Sequence, residues 1–230
     1  MPQFHFTEDY ERLVADLVKT LPLDEAMSLA VGGEFAAIGA IERDILRYAG
    51  LGDGMSLLDL GCGSGRLAKA LSNSIEIRYT GLDVVEALLQ YASSICPASY
   101  QFVLNQALSI PCDDSSIDMV SSFSVFTHLL HAETYIYLED ICRILKPEGR
   151  LVFSFLEFAE PNHWAVFTNT VASEKTRTST QLNTFIERSA IELWCAKLNL
   201  RLVEVIDAGE TRWQTGPLGQ TVAIAEKSLA

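Results

Sequence analysis

Basic residues are scarce in this sequence. Lysine and arginine total 17 against 30 aspartates and glutamates, which leaves a net charge of −13 over 230 residues. A field of that sign repels phosphate backbones, and no Lys/Arg cluster offsets it. Nucleic acid and membrane are therefore not expected as partners. No apolar run approaches the roughly 20 residues that cross a bilayer. The start, Met1-Pro2-Gln3-Phe4-His5-Phe6-Thr7-Glu8-Asp9, has no basic segment ahead of an apolar stretch, so it does not read as a secretory leader. A cytoplasmic setting is expected. The five cysteines, Cys62, Cys96, Cys112, Cys142 and Cys195, are odd in number and widely spaced, and no CxxC pair occurs. That pattern opposes a disulfide framework and a structural zinc site, so no metal is expected.

What remains is an ordinary globular composition, 49% hydrophobic and 20% charged. The length fits one α/β domain over 1–230, with a helical segment at 1–50 and a core at 51–230. In the first part, Tyr10, Leu13, Leu17 and Val18 recur at helical spacing until Pro22. A second helix follows the turn at Gly32-Gly33 and carries Phe35, Ile38, Ile41, Ile45 and Tyr48. Strands and helices then alternate. Strands are expected at 55–60, 75–83, 100–104, 117–122 and 150–156, with helices at 64–71, 85–95 and 133–145. Such alternation implies a parallel sheet with right-handed crossovers. The tail departs from it. A helix at about 182–198 is followed by two strands, 200–206 and 220–226, with no helix between them, which suggests an antiparallel hairpin. The stretch 168–184, rich in Thr and Ser, reads as an exposed loop, either a cover for a substrate site or plain surface.

The most informative stretch is Leu57-Leu58-Asp59-Leu60-Gly61-Cys62-Gly63-Ser64-Gly65-Arg66. An apolar strand runs into three alternating glycines and then into a helix. Glycine permits a tight turn and close approach of a ligand to the main chain. The helix start is expected to present free N–H groups. A dinucleotide fingerprint would place its third glycine at 66, where this chain has Arg66. The second strand ends in Gly81-Leu82-Asp83, and an acid about twenty residues past the glycines is placed to bind ribose hydroxyls.

These residues resemble motif I of class I S-adenosylmethionine-dependent methyltransferases, an acid followed by x-Gly-x-Gly-x-Gly. The resemblance runs over about 55–156. It implies a Rossmann-like α/β fold: a seven-stranded, mostly parallel sheet with one antiparallel strand, helices on both faces and an N-terminal helical cap. It implies S-adenosylmethionine as cofactor and S-adenosylhomocysteine as product. By resemblance, Asp59, Gly61, Cys62, Gly63 and Gly65 line the methionine end, Asp83 accepts from both ribose hydroxyls, and Val84 packs on adenine. Gln106-Ala107 stands where the family has Asp-Ala, so the Gln106 amide oxygen takes the place of a carboxylate. Phe123, Ser124 and His128, past the fourth strand, face the cofactor and the reacting methyl. Glu148 replaces a more usual glycine in the turn before the fifth strand.

His128 is the candidate general base, with packing against the cofactor as its alternative role. His131, and His163 among Phe158, Trp164 and Phe167, carry weaker signals, and His5 carries none. Gly33 and Phe35 are candidate ligand contacts from the cap, or else a turn and a packing face. Two other functions stay open, an NAD(P)-dependent oxidoreductase and a non-catalytic S-adenosylmethionine-binding protein. The Asn/Asp-Pro-Pro-Tyr/Phe motif of amino- and nucleobase-methylating enzymes is absent at Ser122-Phe123-Ser124-Val125. A small-molecule acceptor is expected, and oligomeric state is not legible.

Overall fold

The computed structural model describes residues 7–176 and 182–229. His5 lies outside the described residues, as does the 177–181 portion of the expected loop. Three helices come first: α1 (Thr7–Thr20), α2 (Leu23–Ala30) and α3 (Phe35–Tyr48). Then follow β1 (Ser56–Leu60), α4 (Arg66–Ser72), β2 (Arg78–Asp83), α5 (Glu86–Ile95), β3 (Gln101–Leu104) and β4 (Ile117–Ser122). The rest is α6 (His131–Ile144), β5 (Leu145–Phe155), α7 (Pro161–Thr176), α8 (Arg188–Lys197), β6 (Leu200–Ile206) and β7 (Thr221–Lys227).

The strands form one seven-stranded sheet in the order β3-β2-β1-β4-β5-β7-β6. β1 to β5 pair in parallel, and β7 runs antiparallel to both β5 and β6. This is the expected Rossmann-like α/β sheet with one antiparallel strand. All five residues of β1 are buried. Its alternation feeds two cores. Leu58 and Leu60 join the core with Leu138 and Ile141 of α6 and Ile191 of α8. Leu57 joins the opposite core with Ile41 and Ile45 of α3 and Leu67 and Leu71 of α4. A third cluster, Val14, Met27 and Leu88, seats α1 and α2 against α5. From β1 the chain works outward to β3, then returns to β4 beside β1 and works the other way. The carboxyl ends of β1 and β4 therefore part, and this topological switch opens a crevice where ligands bind in such sheets.

Several elements differ from expectation. Helix α2 was not expected. Pro22 ends α1 but also caps α2, because proline's fixed φ suits a helix entry. The expected loop at 168–184 is helical as far as Thr176, led by Pro161 as the first residue of α7. Its Thr and Ser content masked a helix that buries only His163. The helix expected from 182 begins at Arg188, and Phe185 instead makes a parallel bridge to Leu156.

Strand β5 starts five residues early. Ile117 pairs with Leu145 and Met119 with Arg150, so Lys146 to Gly149 bulge out. Glu148 sits there at φ 64°, in the left-handed region that disfavours a Cβ. Relief of that strain exceeds the entropy glycine adds to the unfolded chain. Glu148→Gly is expected to raise stability by about 0.5–1 kcal/mol, read as a higher urea midpoint at unchanged slope. A lower midpoint would contradict this account.

Candidate functional site

A cavity of about 410 Å³ opens at the switch point. Its floor is the chain leaving β1, from Asp59 to Gly63. One wall is Leu82, Asp83 and Val84 at the end of β2, and the opposite wall is Phe123 to Val125 with His128, beyond β4. Tyr10 and Leu13 of α1 and the segment Leu29 to Gly32 close it from the cap.

The glycine loop is shaped by contact. A Cβ on Gly61 would lie 2.2 Å from Val125 Cγ2, so only glycine lets the two walls approach here. The loop amides are not free, contrary to expectation. Gly61 and Cys62 both donate to the Leu82 carbonyl, at 2.8 and 2.9 Å, and Gly63 donates to Asp83 Oδ2 at 2.8 Å. With these three amides engaged, the side chains of Val125 and Val31 fill the space that a Cβ on Gly61 or Gly63 would take. Gly65 is not part of the wall. A Cβ there would meet Ala92 Cβ at 2.7 Å, so this glycine lets α4 pack against α5. Cys62 lines the cavity, but burial pushes its thiol well above the ordinary range.

Two buried acids flank the loop. Asp83 accepts from Gly63 N and, through Oδ1, from Val85 N at 3.0 Å. Burial raises its pKa against the opposing pull of these amides. Asp59 is held at both oxygens, by Tyr79 Oη at 2.6 Å and Ser121 Oγ at 2.8 Å. Burial outweighs both bonds and pushes its carboxyl up to about 7. Glu42, from α3, is a third buried acid in the wall. It takes Nε and Nη2 of Arg66 at 2.9 and 2.5 Å, while Arg66 Nη1 donates to the Val31 carbonyl at 2.5 Å. Ser64 adds a bond to the Met27 carbonyl at 2.9 Å. The cap is thus tied to the loop by charge and by hydrogen bonds. Sequence reasoning named Arg66 only as a departure from a fingerprint, and nothing in the pattern marked Glu42 as its partner.

His128 lines the cavity and packs edge-on against Tyr10, with ring centroids 5.8 Å apart. Its Nδ1 lies 2.7 Å from the Leu182 carbonyl. A carbonyl only accepts, so Nδ1 carries the proton and Nε2 keeps a lone pair. Burial depresses its pKa, partly opposed by that bond, so the ring is neutral at pH 7.

The structure does not bring Gln106 and Ala107 into the wall. Gln106 Nε2 donates to the Val84 carbonyl at 2.9 Å and so backs the wall from behind, and Ala107 O accepts from Tyr137 Oη at 3.0 Å. Their neighbour Asn105 lines the cavity instead. Gly33 and Phe35 also lie outside the wall, as does His131, which sits 3.0 Å from the Phe185 carbonyl. His163 is buried between Glu157 N and the Gly219 carbonyl, a structural role. Gln220, at the head of β7, lines the cavity unannounced by any motif.

Residues 58–153 match the family model for a methyltransferase domain. Over that stretch the chain is similar to methyltransferase domains. It is 29% identical over 116 residues to an O-methyltransferase of Aspergillus nomiae, across 47% of this chain and 51% of that one. It is 26% identical over 101 residues to the 2-methyl-6-phytyl-1,4-hydroquinone methyltransferase of Synechocystis, across 43% of this chain and 31% of that one. The match spans about half the length of these relatives or less. Among solved structures, magnesium protoporphyrin IX methyltransferase from Synechocystis with bound S-adenosylhomocysteine superposes with a TM-score of 0.66 at 14% identity. That likeness covers 96% of this chain and 97% of the other. The [4+2]-cyclase SpnF superposes at 0.60 and 17% identity, over 84% and 80%. At these identities the likeness speaks for the methyltransferase fold alone.

The raised Asp59 carboxyl favours the folded state most below pH 4, and that contribution is lost as pH climbs through about 7. Asp59→Asn removes the titration. The variant should therefore gain stability relative to the parent as pH rises from 5 to 8, in denaturant titrations of both. A pH-independent difference would contradict the assignment.

Proposed function

We propose that this chain transfers a methyl group from S-adenosylmethionine to a small-molecule acceptor. One observation carries the reading. The crevice at the switch point joins the glycine loop, the Asp83 carboxylate and a neutral imidazole in one cavity. The residues suit the cofactor. The buried acids suit a cation, and Asp83 keeps lone pairs for ribose hydroxyls. Gly61, Cys62, Gly63, Asp59 and Asp83 would hold the methionine and ribose ends, with Val84, Phe123 and Ser124 alongside. Once bound, the sulfonium supplies an already activated methyl.

The protein's own task is placement. Alignment of two reactants can contribute about 7–11 kcal/mol. The His128 Nε2 lone pair is available to take a proton from an acceptor hydroxyl. Leu13, Leu29, Val31 and Val125 give the cavity apolar walls. The relatives named above include O- and hydroquinone methyltransferases, which favours a small-molecule acceptor over nucleic acid. The acidic charge favours the same choice. None of the five cysteines is paired, which fits a reducing compartment such as the cytoplasm. Among the described residues no helix is long and apolar enough to cross a membrane.

Asp83→Ala should weaken S-adenosylhomocysteine binding more than tenfold in calorimetric titration. It also strips two backbone amides of their acceptor, at a stability cost of about 1–3 kcal/mol each if they stay buried. Undiminished affinity in a folded variant would defeat the site assignment. His128→Ala should lower kcat by about 10²–10⁴-fold and leave S-adenosylhomocysteine affinity within about threefold. The parent's rate should fall with acid below pH 6.5, as the imidazole protonates. A variant that keeps full kcat would remove His128 from the chemistry.

A further inference from the structure

The wall beyond β4 contains a hydrogen-bond relay that the cofactor does not explain. Ser124, at φ 58°, donates its N–H to Ser154 Oγ at 2.8 Å. Ser154 Oγ lies 2.7 Å from Gln220 Oε1, and Ser124 Oγ lies 3.3 Å from the same oxygen. Ser154 is fully buried. Because it already accepts from an N–H, its own proton must go to an acceptor, and Gln220 Oε1 is the one within reach. Turning the amide over would set its NH₂ against Ser154 and strand that buried proton, since no other acceptor lies within hydrogen-bond distance among the described residues. The relay therefore fixes the amide's orientation. The Gln220 oxygen is occupied by two hydroxyls, and its nitrogen makes no hydrogen bond among the described residues. Ser124, Gln220 and His128 line the same cavity, and one turn of chain, closed by His128 N on the Val125 carbonyl at 2.8 Å, links Ser124 to His128.

We propose that Gln220 is a specificity-determining residue whose amide NH₂ grips a second oxygen of the acceptor, while His128 faces the hydroxyl to be methylated. The inference rests on the methyltransferase reading. It narrows the acceptor class to small molecules that carry a hydroxyl and, elsewhere on the same skeleton, a carbonyl-type oxygen. The site offers a lone pair to the first and a donor to the second. A skeleton with the hydroxyl alone leaves the NH₂ unmatched in a partly desolvated wall, which is how such sites discriminate.

The test uses the chain saturated with S-adenosylhomocysteine. The 2-, 3- and 4-hydroxyacetophenones are titrated against the matching ethylphenols, which lack only the carbonyl oxygen. At least one ketone should bind about tenfold more tightly than its ethyl partner, the upper end for one net hydrogen bond. Gln220→Glu keeps the acceptor for Ser154 but removes the donors. Gln220→Leu removes both. Each should erase the preference while holding S-adenosylhomocysteine affinity within threefold. Equal binding of every pair by the parent overturns the proposal, as does a preference that survives in Gln220→Glu. If the parent does not bind S-adenosylhomocysteine, the methyltransferase reading fails and the proposal with it. If the cofactor product binds and only the preference is missing, the proposal alone fails.

Discussion

Two backbone amides converge on the carboxylate of Asp83, one from each side of the crevice. Gly63 belongs to the loop after β1, and Val85 opens the connection from β2 to α5. Leu82, the residue before Asp83, receives two more amides from that loop. Three of these hydrogen bonds lock the ends of two neighbouring strands at a fixed separation, and the fourth, from Val85, holds the carboxylate in place. The cavity floor, the aim of the carboxylate and the seating of α5 follow from that lock. Asp83 is buried, and burial alone would discourage its charge. The converging amides are dipoles that partly restore the lost solvation, so the group can be both a structural clasp and a ligand contact.

The electrostatics of the cavity are set by what is neutralised. Arg66 is the one cation in the wall among the described residues, and it is committed to Glu42. Asp59 gives up part of its charge to burial. What stays available is a modest negative bias at Asp83, suited to a cationic group.

Much of this was legible beforehand because glycines and acids at strand ends leave few alternatives. Asp59, Gly61, Gly63, Asp83 and His128, which the motif and the element order single out, line one cavity. The strands of the parallel core were found as well, since buried strands read as continuous apolar runs. The failures have physical causes. Gly65 satisfies the spacing, but its missing Cβ serves a helix–helix contact. Gln106 occupies the family's position in the sequence, but the turn stabilised by Asn105 Nδ2 on the Ser109 carbonyl, at 2.7 Å, presents Asn105 to the cavity instead. Helix α7 was hidden by β-branched and hydroxyl residues whose local preference is weak, while Pro161 at its first position favours a helix entry. Gln220 arrives from the far end of the chain through the antiparallel strand, and no local pattern encodes a contact across 96 residues.

The pairing of Glu42 with Arg66 bears on descent as well as on shape. Loss of either partner strands a charge inside the protein, at a cost of about 3–5 kcal/mol. That is a large share of what a domain this size has in hand. Neither position can drift alone. A substitution at one therefore calls for re-packing at the other, which ties the N-terminal helices to the glycine turn across 24 residues of chain.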